Sequence, residues 1–197
     1  MTSATQRPLI LGSTSPYRRE LLARLRLPFE VVAPQVDETP LHAEAPGPLA
    51  CRLAMAKAQA VARLHPQAIV IGSDQVADHA GTPLGKPLVH DAAVAQLQRM
   101  SGQDIVFQTA VAVVCMETGF AQMELAQVQV RFRVLAHADI QAYLLAEQPY
   151  DCAGSAKSEG LGIALLDAIH SDDPTALVGL PLIRTCRLLR EAGVRLW

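Results

Sequence analysis

Residues 68–75 read AIVIGSDQ. Ala68 to Ile71 form an apolar run of strand length, and it meets a glycine, a serine, an acid and an amide. Two readings of Asp74 follow. It is either an Asx-turn residue that ends the strand, or a carboxylate held where ligands gather in open α/β sheets, at the carboxyl end of a strand. The choice turns on what surrounds the stretch.

Upstream, PLILGS reads as a short buried strand that runs into a helix, with Ser15 as N-cap and Pro16 in the first turn. That helix is expected over YRRELLARLRL, with Leu21, Leu22 and Leu25 on one stripe. FEVVA is a second strand, DETPLHAEAPGP a loop, and an Ala-rich helix runs from about Leu49 to Leu64 into the third strand AIVIGSD. Downstream come a loop holding HAGTPLGKP and a helix over Ala92 to Met100. IVFQTAVAVVCM and AQVQVRFRVL then read as a long antiparallel hairpin turning at Glu117-Thr118-Gly119. A helix over Ala138 to Glu147, the Gly/Ser-rich loop CAGSAKSEGLG, and a helix over Leu182 to Ala192 complete the chain. Strand–helix alternation followed by a hairpin indicates an α/β protein with a mixed sheet. No internal repeat or long linker divides it, so residues 1–197 are expected to form a single domain.

Composition narrows the partners. Of the 197 residues, 50% are hydrophobic and 18% charged, which suits a globular core. A formal net charge of −2 argues against a nucleic-acid polymer, which calls for a basic face. It leaves room for a small anion bound by a local group of cations. The four cysteines, Cys51, Cys115, Cys152 and Cys186, lie far apart without metal-ligand spacing and read as free thiols. Neither a signal peptide nor a membrane span is visible, so a cytoplasmic protein is expected.

Three stretches carry candidate chemistry. STSPYRRE, at the first strand-to-helix turn, offers the hydroxyls of Ser13 and Thr14, the charges of Arg18 and Arg19, and a helix N-terminus, all suited to phosphate. A capped helix with solvated arginines explains the same stretch. Lys57 falls four residues after Leu53 and four before Val61, on the apolar face of its helix. It either snorkels to solvent or meets an anion. Finally, Asp74 is followed by Lys86 in a Gly-Lys-Pro turn. Cations from separate turns, with Asp74 and Glu38 as carboxylates, suit cleavage of a phosphoanhydride: the cations hold phosphate, and a carboxylate deprotonates water or binds a divalent ion.

In this order, LILGSTSPYRRELL, VDETP, the Lys57 helix, IGSDQV, GKP, CAGSAKSEGLG and LVGLPL resemble the Maf family of nucleoside triphosphate pyrophosphatases, over about Leu9 to Arg190. The resemblance implies a Maf/ITPase-like α/β fold, a compact domain whose central mixed sheet is flanked by helices and holds an active-site cleft. It implies a nucleotide substrate, frequent homodimers, and a divalent metal cation such as Mg²⁺, Mn²⁺ or Co²⁺. By that resemblance Asp74 is the proton acceptor, Ser13, Arg18, Lys57 and Lys86 bind phosphate with Arg19 beside them, and Glu38 with Asp74 holds metal or water. Tyr17, Gln75 and Glu159 match the branch that hydrolyses 7-methyl-GTP rather than the branch for dTTP and UTP. An N7-methylated guanine is cationic, so Tyr17 offers it a face worth ~1–2 kcal/mol. Glu159 is an acceptor for the guanine N–H edge, and Gln75 reads an amide edge. The aromatic is Tyr where that branch commonly has Trp, and Met1 to Arg7 form an extra polar stretch expected to be flexible. Pyrimidine triphosphates as substrates, or a nucleotide-binding regulator of septum formation, are the alternatives.

Overall fold

The first and third apolar runs become parallel neighbours. In the computed structural model, which describes residues 7–197, β1 (Leu9–Gly12) pairs in parallel with β2 (Glu30–Val32) and with β3 (Ile69–His79). α1 (Pro16–Ala23) links β1 to β2, and α2 (Pro46–Leu64) leads into β3. β3 then doubles back as β4 (Thr82–Leu84) through Ala80 and Gly81, whose φ values of 50° and 83° fit the two-residue turn that joins tight hairpins. Next come α3 (His90–Met100), β5 (Asp104–Cys115), β6 (Phe120–Phe132), α4 (His137–Glu147), β7 (Leu166–His170) and α5 (Leu182–Glu191). The mixed seven-stranded sheet has the order β2-β1-β3-β5-β6-β7, with β4 paired to β3.

Alternation along β3 sends side chains to two faces. Val70 and Val76 join Ala110 and Ala112 of β5 under Leu53, Ala54, Ala58 and Val61 of α2. On the other face, Ile69 and Ile71 pack with Leu21 and Leu22 of α1 and Leu188 and Leu189 of α5. Farther along that second face, Ala77 and Phe107 pack under Leu97 of α3 and Leu144 of α4. Each fully buried Leu or Ile contributes about 1.5–3 kcal/mol relative to exposure. The three clusters therefore clamp β3 from both sides along its length.

The expected mixed α/β sheet and the long hairpin are present, and four local expectations need correction. β3 does not end at Asp74; it continues to His79, so Asp74 lies mid-strand with Ala110 opposite, and both the Asx-turn reading and the placement at the carboxyl end of the strand fail. The segment read as a loop through HAGTPLGKP contains β4. The first helix stops at Ala23, because Arg24, Leu25 and Arg26 bond three residues back and Arg26 turns to a φ of 55°. α2 starts earlier than expected, with Pro46 in its first turn. Of the N-terminal stretch, residues 1–6 lie outside the described residues, while Arg7 forms an ion pair with Glu117.

Candidate active site

The contact between α2 and β3 is unusually close at Gly72. A Cβ there would lie 2.3 Å from the Ala54 carbonyl oxygen and 2.5 Å from the Ala58 nitrogen, so no other residue fits without moving the helix. Two residues on, Asp74 projects from the same face. The helix thus held against the strand aims Lys57 along it, and Nζ meets Asp74 Oδ1 at 2.7 Å. Both side chains are buried, Lys57 at 5% and Asp74 at 7% exposure. Lys57 Nζ also lies 2.9 Å from Oε1 of the exposed Glu38. One ammonium therefore joins the two carboxylates expected at the site. The lysine neither snorkels to bulk solvent nor stands unpaired.

At the end of β1, Ser13 is buried, and its Oγ accepts from the Ser15 N–H at 3.1 Å. Ser15 in turn caps α1, accepting from the Arg18 N–H. That cap sets the start of the helix so that the Arg18 side chain returns toward Ser13, with Nη1 at 3.5 Å from Oγ. Arg18 Nε donates to the Gly179 carbonyl at 2.8 Å, and the Ser73 hydroxyl reaches the same oxygen at 2.9 Å. Gly179 has a φ of 117°, a left-handed conformation that favours glycine. Burial disfavours the charged form of Arg18 and lowers its pKa, and the negative charges of Asp74 and Glu38 oppose that shift. A half-buried guanidinium in this setting has the charge and donor geometry to take a phosphate.

Glu38 sits on a braced loop. Arg52 of α2 donates to Glu44 through Nε at 2.6 Å and Nη2 at 2.7 Å, and Nη2 also reaches the Thr39 carbonyl at 3.1 Å. Glu44 Oε2 accepts from the Leu41 N–H at 2.9 Å. The Arg52 hydrogen bonds hold the Glu44 carboxyl down at about 2. Among the described residues, no three His, Cys, Asp or Glu side chains converge as a metal site. Glu38 and Asp74, both at the Lys57 ammonium, are hard oxygen donors that would suit a divalent cation completing its shell with other oxygen ligands.

The base-selecting candidates lie across the strand. Tyr17, on α1, is half-buried, and Lys157 Nζ stands 5.5 Å from its ring centroid. Burial, with Cys152 and Asp151 close by, pushes the Tyr17 hydroxyl up, and burial carries the Cys152 thiol to about 12. Glu159 is exposed, yet near enough for its charge to act on Tyr17 and Lys157. Lys157 pairs with Glu147 at 2.9 Å rather than with Glu159. Glu147 also accepts from the Leu161 N–H, so it ties down the loop that carries Glu159. The Gln75 amide nitrogen faces three acceptors, Thr109 Oγ1 at 3.0 Å and the Ala176 and Leu177 carbonyls at 2.9 Å each. With two hydrogens it is fully committed to the 176–178 turn, which leaves only Oε1 for a ligand.

The structure thus brings Ser13, Arg18, Glu38, Lys57 and Asp74 together at the end of β1, and sets Tyr17 and Glu159 near one another. Lys86 lies exposed two residues beyond β4, on the same edge of β3. Arg19 is not brought in. It is exposed one step round α1 from Arg18 and lines a surface hollow with Leu27, Phe29 and Val31. Sequence reasoning did not single out Gly72, Ser73, Gly179 or Glu147. The motifs IGSDQV, which contains Gly72 and Ser73, and LVGLPL, which contains Gly179, gave the signal; the close helix approach at Gly72 is visible only in three dimensions.

Comparison with known proteins bears on the same residues. The family model described as Maf-like protein matches residues 8–192. The chain is 69% identical over 195 residues to a 7-methyl-GTP pyrophosphatase of Albidiferax ferrireducens, covering 99% of this chain and 98% of that one. It is 69% identical over 193 residues to a protein of that name from a Polaromonas species, covering 98% and 88%. A third of the same name, from Cupriavidus metallidurans, is 55% identical over 193 residues, covering 98% and 97%.

Proposed function

This chain belongs to the Maf family, and on that premise we propose that it hydrolyses 7-methyl-GTP between the α and β phosphates, releasing 7-methyl-GMP and pyrophosphate. The observation that carries the reading is Lys57, buried and bonded at once to Asp74 and Glu38 beside Arg18 and Ser13. A surface salt bridge would need none of that convergence. A buried ammonium joining two carboxylates at the end of β1 is a site built around a ligand that carries both phosphate and a cation.

The residues divide the work. Arg18, Ser13 and Lys57, joined by the exposed Lys86, take the phosphate oxygens and offset charge that grows on them as the bond breaks. Phosphate oxygens compete for the Lys57 ammonium, which frees Asp74 Oδ1 to accept a proton from water. The water oxygen bonds to the α-phosphorus, the bond from that phosphorus to the bridging oxygen breaks, and pyrophosphate leaves with the electron pair. Glu38 and Asp74 would hold a divalent cation, which would supply Lewis-acid neutralisation of the phosphates. Tyr17 offers an aromatic face, and Glu159 a negative charge, to a base that methylation has made cationic.

No helix in the described residues is long and apolar enough to cross a membrane, and the free cysteines fit a reducing cytoplasm. The experiment that tests this reading is a panel of triphosphates, 7-methyl-GTP, GTP, dTTP and UTP, assayed for pyrophosphate release with and without Mg²⁺ or Mn²⁺. The expected result is metal-dependent release, fastest with 7-methyl-GTP. Equal rates on dTTP or UTP would overturn the base assignment, and no release from any of them would overturn the reaction.

A further inference from the structure

The edge of β3 that faces β1 is interrupted. Its partners there run from Leu9↔Ile69 to Gly12↔Gly72 and stop. They resume with Ala77↔Leu84 in β4. Ser73, Asp74, Gln75 and Val76 therefore have no strand partner on that side among the described residues, although β5 pairs all four on the other.

The direction of the main-chain groups follows from both ends of the gap. The Ile69 N–H donates to the Pro8 carbonyl at 2.8 Å, so odd-numbered residues of β3 turn N–H and C=O toward β1. The two-residue turn at Ala80–Gly81 requires His79 and Thr82 to be a hydrogen-bonded pair, which puts odd residues on that same edge at the far end. The β3–β5 register runs without a shift between the two. The Gln75 N–H and the Ser73 and Gln75 carbonyls therefore open into the gap. The Gln75 N–H meets no hydrogen-bond partner among the described residues.

What borders the gap is arranged for a nucleotide. Ser13 follows the last residue of β1, and Lys86 stands two residues beyond Leu84. Asp74 and Lys57 lie on the α2 face of the strand, whereas Tyr17 belongs to α1 on the opposite face. A ligand that reaches both must pass the strand where its edge is bare.

We infer that this gap seats the junction between sugar and α-phosphate, with the Gln75 main-chain N–H donating to a non-bridging oxygen of the α-phosphate. The inference rests on the nucleotide reading above and adds a main-chain positioning donor to it. The two carbonyls suit sugar hydroxyls. Charge on the phosphoryl oxygen grows as water attacks, so a fixed donor there is worth more in the transition state than in the ground state.

Amide hydrogen exchange on the wild-type protein, with 7-methyl-GMP as probe, tests this directly. The Gln75 amide should exchange fast in the free protein and at least about tenfold more slowly when the probe saturates, as an amide that gains a partner does. The Asp74 amide, turned toward β5, should not change. Saturating binding, seen as shifts at Arg18 and Lys57, with unaltered Gln75 exchange would overturn the inference and leave the nucleotide reading standing. Absence of binding would overturn both. As a second measurement, an ester in place of the Asp74–Gln75 amide, made by placing the α-hydroxy analogue of glutamine at position 75, should lower kcat by about 10²–10³ while KM moves little. Wild-type kcat in the ester enzyme would overturn the proposal.

Discussion

Asp74 stands two residues beyond Gly72 on one face of β3, and that spacing is what lets Lys57 reach its carboxylate. Gly72 lets α2 lie on the strand with no side chain between, and the next residue on that face falls within 2.7 Å of the lysine ammonium. The site is thus set by a helix–strand approach as much as by the charged residues themselves.

Asp74→Asn keeps the shape and an oxygen for Lys57 but removes the carboxylate proposed to accept the proton. Pyrophosphate release should fall by about 10²–10⁴, the range for losing a general base, while nucleotide binding persists in an equilibrium assay. Turnover at the wild-type rate would remove Asp74 from the reaction.

Gly72→Ala places a Cβ against backbone atoms of α2, which have no rotamer by which to escape. Destabilisation of about 1–3 kcal/mol is expected in denaturant melts, as for other overpacked cores. Activity at a temperature where the variant remains folded should also drop, because α2 must lift and carry Lys57 away from Asp74.

Lys57→Met leaves Asp74 buried without its ammonium. Breaking such a pair from one side costs about 3–5 kcal/mol, to be read from urea unfolding at neutral pH. The loss should shrink in the double variant with Asp74→Asn, since no buried charge then lacks a partner.

Glu159→Gln should narrow the preference for 7-methyl-GTP over GTP, measured as the ratio of kcat/KM values. In the proposed reading the exposed carboxylate acts on the base through charge, and the amide has none. An unmoved ratio would assign base selection to Tyr17 and its surroundings alone.

Acid should loosen the Glu38 loop through Glu44. Its carboxyl titrates at about 2 in the fold, against an ordinary value of 4.5, so the Arg52 pair favours the folded loop above pH 4.5 and loses that effect as pH falls toward 2. The difference in stability between wild type and Glu44→Gln should therefore be full at neutral pH and vanish over that window. A constant difference across it would place the role of Glu44 elsewhere.

Much of this was legible in the chain. Ser15 and Pro16 announced the start of α1, and the i, i+4 spacing placed Lys57 on the buried face of α2. Asp74 was misread as a strand end because Gly72 and Ser73 resemble turn residues; nothing local shows that Gly72 makes room for a helix and that Ser73 bonds to the Ala110 and Gly179 carbonyls. β4 escaped notice because it is three residues long with Pro83 at its centre, tolerated on a pairing that leaves the proline's side without need of a donor. Arg18 lies three and four residues before Leu21 and Leu22, a spacing that turns it inward, and one step of helix rotation leaves its neighbour Arg19 exposed. The interrupted edge depends on where two other strands stop, and no single stretch encodes that.

Because β4 ends its pairing at Ala77 and β1 at Gly72, the width of the opening is fixed by chain length and not by any side chain. Adding or deleting a residue between Leu84 and Lys86 would act as a shim, moving Lys86 relative to Ser13 while leaving the Ala77↔Leu84 pair and Asp74 in place. Ligand length, as distinct from base identity, is then tuned by that short connection alone.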